Sequence, residues 1–273
     1  MAPPPDTNAY PLGSADFEHE RLLRQAVWVA PHTEHLFRSA GIGPGQRVLE
    51  LGSGLGDVAL IAARLVGASG EVVGVERDPR SLARASARMK ELGLAQVRFE
   101  RTDVLELPVA RPFDAAVGRY ILMYVKDPAA VLRDVSRLVR PGGVLAFLDV
   151  TVRSFLDACR DLPLWWDAAQ VMTEVFRRSG ANTDMGRGLS AAFVGAGLPD
   201  PATETYTLTG SERWMSECLI SLQPQFEALG VPAGNLGDLG TLQQRLMDEV
   251  TARGRPVPLP EMVGAWAHVP PGR

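Results

Sequence analysis

Two cysteines, Cys159 and Cys218, are all that the chain of 273 residues contains. That is too few for a disulfide scaffold or a multi-cysteine zinc site, and it suits a reduced compartment. Positive charge is not in excess: Lys and Arg number 28 against 32 Asp and Glu, a formal net charge of −4. Such a balance supplies no field for gripping a phosphate backbone, so no nucleic-acid partner is expected. No window approaches the ~20 apolar residues that a membrane-spanning helix needs. The opening MAPPPDTNAYPLG has no cationic stretch followed by an apolar core, so no signal peptide is expected and the cytoplasm is the expected location. Histidine is scarce at 4 residues, and no His/Cys/Asp cluster has metal-ligand spacing. What remains, 46% hydrophobic and 22% charged, is the composition of an ordinary globular chain.

Between Glu18 and Arg38 apolar residues recur at helical spacing, and Pro31 divides the stretch into two predicted helices. After the glycines at 41–45 the pattern changes. Strands are predicted at Arg47–Leu51, Glu71–Glu76, Val97–Arg101, Phe113–Gly118 and Val144–Val150, with helices at Asp57–Val66, Pro79–Leu92 and Pro128–Val139. Alternation of near-continuous apolar strands with helices predicts an α/β fold around a doubly wound parallel sheet. Farther on, Ser154–Ser179 reads as one helix and Gly180–Gly188 as a glycine-rich loop. Thr203–Leu208 reads as a strand, Ser211–Leu229 as a helix up to Pro224, Leu242–Val250 as a short helix, and Met262–His268 as a last strand. The expected layout is a covering arm and helices (1–45), an α/β core (46–150), and lid insertions with the last strands (151–273).

The most informative segment is Val48-Leu-Glu-Leu-Gly-Ser-Gly-Leu-Gly-Asp57. Glycines at a strand-to-helix turn admit a ligand close to the backbone, and the following helix points its N–H groups and positive dipole end there. A dinucleotide loop wants G-x-G-x-x-G, whereas Gly52, Gly54 and Gly56 run G-x-G-x-G and an acid, Glu50, precedes them. A carboxylate there would repel a pyrophosphate and suit an ammonium or sulfonium group. A nicotinamide-dependent oxidoreductase therefore fits poorly. Glu76, about 20 residues on, is placed to take both hydroxyls of a ribose. Asp103 is placed to accept an exocyclic adenine amine, with Val104 beside the ring.

Gly118-Arg-Tyr-Ile-Leu-Met-Tyr-Val-Lys-Asp-Pro128 and Arg140-Pro-Gly-Gly-Val-Leu-Ala-Phe147 complete the set. Together these motifs resemble the class I S-adenosylmethionine-dependent methyltransferases, in the small-molecule branch similar to ubiquinone/menaquinone-type enzymes. The resemblance is close from Gln46 to Val150 and loose before it. It implies a mostly parallel seven-stranded Rossmann-like sheet, its final strand antiparallel, with helical insertions as a lid. The implied cofactor is S-adenosylmethionine, with S-adenosylhomocysteine as product. Its implied contacts are Glu50, Gly52, Ser53 and Gly54, then Glu76 and Arg77, Thr102, Asp103 and Val104, and Gly118 and Arg119. In relatives with a similar start the arm folds over the cofactor, which implies Tyr10 and Gln25 as contacts.

The implied reaction is transfer of the cofactor's methyl group to oxygen or carbon of a small, largely apolar metabolite, in a monomer or homodimer. Such an in-line displacement needs alignment and exclusion of water more than a particular side chain. A base is an option for a hydroxyl or an acidic carbon. His32 and His35 on a helix expected to roof the site, Tyr120 beside the sheet edge, His19 and His268 are the candidates. Trp165, Trp166, Met172, Phe176, Trp214 and Met215 are a large apolar allotment outside the sheet and the expected acceptor pocket. The alternative on the same motifs is a protein that retains the cofactor without methylating, such as a ring-forming enzyme.

Overall fold

The computed structural model describes residues 11–13, 16–102, 111–210 and 212–271. Tyr10, Asp103 and Val104 lie outside these residues. The parallel strands are β1 (Arg47–Leu51), β2 (Glu71–Val75), β3 (Val97–Glu100), β4 (Phe113–Arg119) and β5 (Val139–Thr151). β6 (Ala202–Tyr206) and β7 (Glu261–His268) close the sheet, in the order β3-β2-β1-β4-β5-β7-β6, with β7 antiparallel to both neighbours. The helices are α1 (Asp16–Ser39), α2 (Asp57–Val66), α3 (Pro79–Glu91), α4 (Pro128–Ser136), α5 (Arg153–Cys159), α6 (Pro163–Arg178), α7 (Met185–Gly195), α8 (Glu212–Ala228) and α9 (Leu242–Arg253). None is long and apolar enough to cross a membrane.

The central strands β1, β2, β4 and β5 are apolar on both faces because each face is covered. Along β1, Val48 packs with Val58, Ala59 and Ala62 of α2 and with Leu36 and Phe37 of α1, while Leu49 and Leu51 join the opposite cluster. That second cluster runs through Phe113, Leu145 and Phe147 into the helices after β5. Burying a side chain such as Phe147 stabilises by about 1.5–3 kcal/mol. Asp residues start two of the helices. Asp78 accepts the Ser81 N–H at 2.7 Å and Asp127 the Ala130 N–H at 2.9 Å, and in both the next residue is proline at the first helical position.

Four expectations about elements need correction. α1 runs unbroken through Pro31 for 24 residues. The carbonyl that Pro31 leaves without an N–H partner belongs to Val27, which is 71% exposed, so water satisfies it. α8 likewise continues past Pro224. The helix expected at Ser154–Ser179 is two, α5 and α6, because Pro163 takes the first position of a new helix after the turn at 160–162. Gly186 and Gly188, expected in a loop, are in α7, where a Cβ at Gly186 would meet the Asp149 carbonyl oxygen at 3.0 Å.

Candidate functional site

β1, β2 and β4 end side by side: Leu51 is level with Val75 on one side and Gly118 on the other. The carboxyl edge of the sheet therefore presents the glycine turn, Glu76 and the Gly118–Tyr120 bend together. Gly52 and Gly54 have φ of +64° and +49°, a region that L side chains rarely adopt. A Cβ on Gly52 would come within 2.6 Å of Ile121, whereas one on Gly54 meets no atom within 4 Å. The Gly54 backbone thus faces open space, an approach that any side chain there would fill. Ser53 holds the turn to β2, its N–H donating to the Val75 carbonyl at 3.0 Å.

Glu50 lies under this turn at 1% exposure. Burial pushes its carboxyl up to about 8, against the opposing influence of the Ser53 hydroxyl and the Arg119 guanidinium. Its Oε2 is buried and accepts no hydrogen bond. Arg119 donates to Thr33 Oγ1 of α1 at 3.1 Å. Glu76 is half-buried and accepts backbone N–H groups from Gly54 (2.8 Å), Arg77 (2.7 Å) and Asp78 (2.8 Å), so β2 and the glycine turn are locked to each other. Thr102 is partly exposed beyond β3.

His32 and His35 are not where a roof over these strand tips requires. His32 stacks on Tyr206 at 4.8 Å between ring centroids, and His35 pairs with Glu204 at 3.2 Å. Both partners are on β6, the sheet's edge strand, beyond β5 and β7 from β4. The reason is the helix period: Thr33, between the histidines, faces Arg119, so they face away. His268 is level with Val144, at the opposite edge of the sheet. Tyr120 does follow β4, in the left-handed region at φ 55°. Its hydroxyl donates to Met262 Sδ at 2.8 Å, and burial pushes its ionisation well above the ordinary value.

Gln25 and Trp214, assigned to cofactor and acceptor respectively, are bonded together: Gln25 Oε1 accepts from Trp214 Nε1 at 3.0 Å and from Arg21 Nη1 at 2.7 Å. Trp165 is fully buried, with its indole N–H on the Leu246 carbonyl at 3.1 Å. Met172, Phe176 and Met215 pack in the same apolar cluster. Trp166 packs against this cluster and also lines a cavity of about 380 Å³ with Arg153, Leu156, Arg160 and Gln170, on the α5–α6 side.

Sequence reasoning missed three groups. Glu18 and Arg21, 1% and 2% exposed, form a two-contact ion pair at 2.7 Å, and Ser221 of α8 donates to Glu18 at 2.8 Å. Acid and base one helical turn apart on α1 was the available signal. Asp149 is fully buried in β5, its carboxyl pushed by burial up to about 7. It accepts the Met123 N–H at 3.2 Å and so fixes the turn at Leu122–Tyr124 that follows Tyr120. A lone acid inside the apolar run Val144–Val150 marked it.

The profile of a family described as "Methyltransferase domain" matches residues 42–185, more than half of the chain. A 2-phytyl-1,4-naphtoquinone methyltransferase of Synechococcus elongatus is 41% identical over 109 residues, 39% of this chain and 47% of that one. The chain spans about half the length of the curated relatives it matches. Among solved structures, the YcgJ protein of Bacillus subtilis superposes with TM-score 0.57 at 18% identity, over 88% of this chain and 99% of its own. The [4+2]-cyclase SpnF superposes with TM-score 0.51 at 21% identity, over 89% and 82%. These two likenesses are of fold. On the family match, the order of the strands and the acids at their tips, the chain belongs to the methyltransferase-domain family, as a class I S-adenosylmethionine-dependent type.

Proposed function

We propose that the chain transfers the methyl group of S-adenosylmethionine to oxygen or carbon of a small, largely apolar metabolite. The observation that carries this reading is the buried, unpartnered Oε2 of Glu50 beneath the open face of Gly54. A buried acceptor without a donor is costly, and the cofactor's ammonium is the donor that suits it. Glu50 would hold that ammonium, Glu76 the ribose, the Gly52–Gly54 backbone the methionine chain, and the residues from Thr102 to Val104 the adenine. When bound, the cofactor supplies an electrophilic methyl group on a sulfonium.

The rest is positioning. Arg119, fixed by Thr33, and the bend held by Asp149 set the shape of the β4 tip. α1 and α8, joined through Gln25–Trp214 and Glu18–Ser221, cover it and exclude water. The domain reading follows: 1–45 covers, 46–150 binds, and 151–273 supplies the lid and the last two strands. An apolar acceptor is supported by the similarity to a 2-phytyl-1,4-naphtoquinone methyltransferase. Incubation with methyl-labelled cofactor and pools of prenylated quinones, polyketides and phenols tests it. Label should appear in an organic-extractable product and vanish in Glu76→Ala. Tight cofactor retention with no transfer to any pool contradicts methylation.

A further inference from the structure

Glu76 has more to hold than its carboxylate has room for. Two ring hydroxyls are assigned to it above, yet three backbone N–H groups already occupy it. A carboxylate offers roughly four lone-pair sites, so about one is left. A second hydroxyl of a vicinal diol needs another acceptor nearby.

His19 of α1 supplies one. Its side chain is 1% exposed, and its Nε2 lies 3.3 Å from Ser81 Oγ. Ser81 is itself tied to Asp78, whose carboxylate accepts its backbone N–H at 2.7 Å. In the tautomer that donates from Nε2 to the Ser81 hydroxyl oxygen, Nδ1 is a bare lone pair. That Nδ1 is buried and has no hydrogen-bond partner. Asp78 in turn donates its N–H to Glu76, so Glu76, Asp78, Ser81 and His19 form one continuous chain of contacts. The helix brings His19 there from the far side of the crevice. α1 is held at Thr33 to the β4 tip and at His19 to the start of α3, and at ~1.5 Å per residue these points are about 21 Å apart.

We propose that His19 is a second acceptor for the cofactor's ribose, taking through Nδ1 the hydroxyl that Glu76 has no lone pair left to hold. The inference rests on the reading of the crevice as an adenosyl site. Burial first and Arg84 second push the imidazole below its ordinary value, while Asp78, Asp16 and Glu18 pull the other way. The net effect keeps His19 neutral, and Nδ1 an acceptor, at neutral pH.

The test is calorimetric titration of the full chain with S-adenosylhomocysteine and with its 2′-deoxy and 3′-deoxy forms. The variants are His19→Leu, His19→Met as a second apolar replacement should leucine not fold, and His19→Asn, whose Oδ1 can stand in for Nδ1. Wild type should bind one deoxy form about tenfold more weakly than the parent. The apolar variants should bind the parent about tenfold more weakly and show no further loss for that same deoxy form. His19→Asn should recover most of the difference. Parent affinity unchanged in the apolar variants overturns the inference and leaves the cofactor reading standing. So does a weakened parent with both deoxy penalties intact, since His19 would then only brace α1 against α3. Failure of wild type to bind S-adenosylhomocysteine at all removes the cofactor reading and the inference with it.

Discussion

Glu50 is short of a cation of its own, and its proton shows it. Unfolded, the carboxyl ionises near its ordinary 4.5, whereas folded it holds its proton up to about 8. Between those values the folded chain binds the extra proton, so the stability it contributes is full below about pH 4.5 and lost as pH rises through 8. The slope is about 1.4 kcal/mol per pH unit inside the window. Glu50→Gln should therefore flatten the fall in urea-unfolding free energy between pH 5 and 8 (Asp149, raised to about 7, keeps part of it). Equal slopes in the two proteins would place a counter-charge at Glu50 that the structure does not show. Gly54→Val should unfold at about 1–2 kcal/mol less, from its φ of +49°, and should lose cofactor binding far more than that. Melting curves and ligand titration on one sample separate the two effects. Glu50 and the glycines were readable in the sequence because the acid and the G-x-G run sit where a strand must end. His19 was not, because its meaning depends on Ser81 and Asp78, distant in sequence and brought to it only by the path of α1.

Elements inside the α/β half were legible because alternation of strand and helix is written in runs of apolar residues, and Asp-Pro pairs mark the starts of α3 and α4. Proline was the misleading signal. Pro31 and Pro224 sit inside helices, while Pro163 starts one, and only tertiary packing decides which. α1 survives Pro31 because its C-terminal half packs on α2 and its N-terminal half is tied to α8. Pro31→Ala restores an N–H to the Val27 carbonyl and should raise stability by about 1–3 kcal/mol in urea titration. Glu18→Ala removes both carboxylate contacts to the buried Arg21 and the acceptor of Ser221, and should cost about 3–5 kcal/mol. The double variant Glu18→Leu with Arg21→Met should regain most of that loss. A double variant as unstable as the single one would show that the pair's partners on α8, not its charges, fix α1.

For the molecule as a whole, one sheet serves two tasks. Its carboxyl edge gathers the tips of β1, β2 and β4, and the chain after β5 returns twice to complete the sheet while sending α5, α6, α8 and α9 into the apolar cluster that holds Leu51 and Val75. The acceptor was not legible in these helices, for a physical reason. Trp165, Met172, Phe176 and Met215 satisfy the demands of a core whatever the substrate. A ligand that binds only the folded chain raises its stability by about 2.7 kcal/mol at a hundred times its Kd. Saturating S-adenosylhomocysteine should therefore raise the melting temperature of the wild type and leave Gly54→Val unmoved. The most direct test of the account is the dissociation constant of S-adenosylhomocysteine for wild type and Glu50→Gln at neutral pH. A charged hydrogen bond is worth about 1.5–3 kcal/mol, so Glu50→Gln should bind about 10–150-fold more weakly. The same constant for both proteins would contradict the claim that Glu50 holds the cofactor's ammonium.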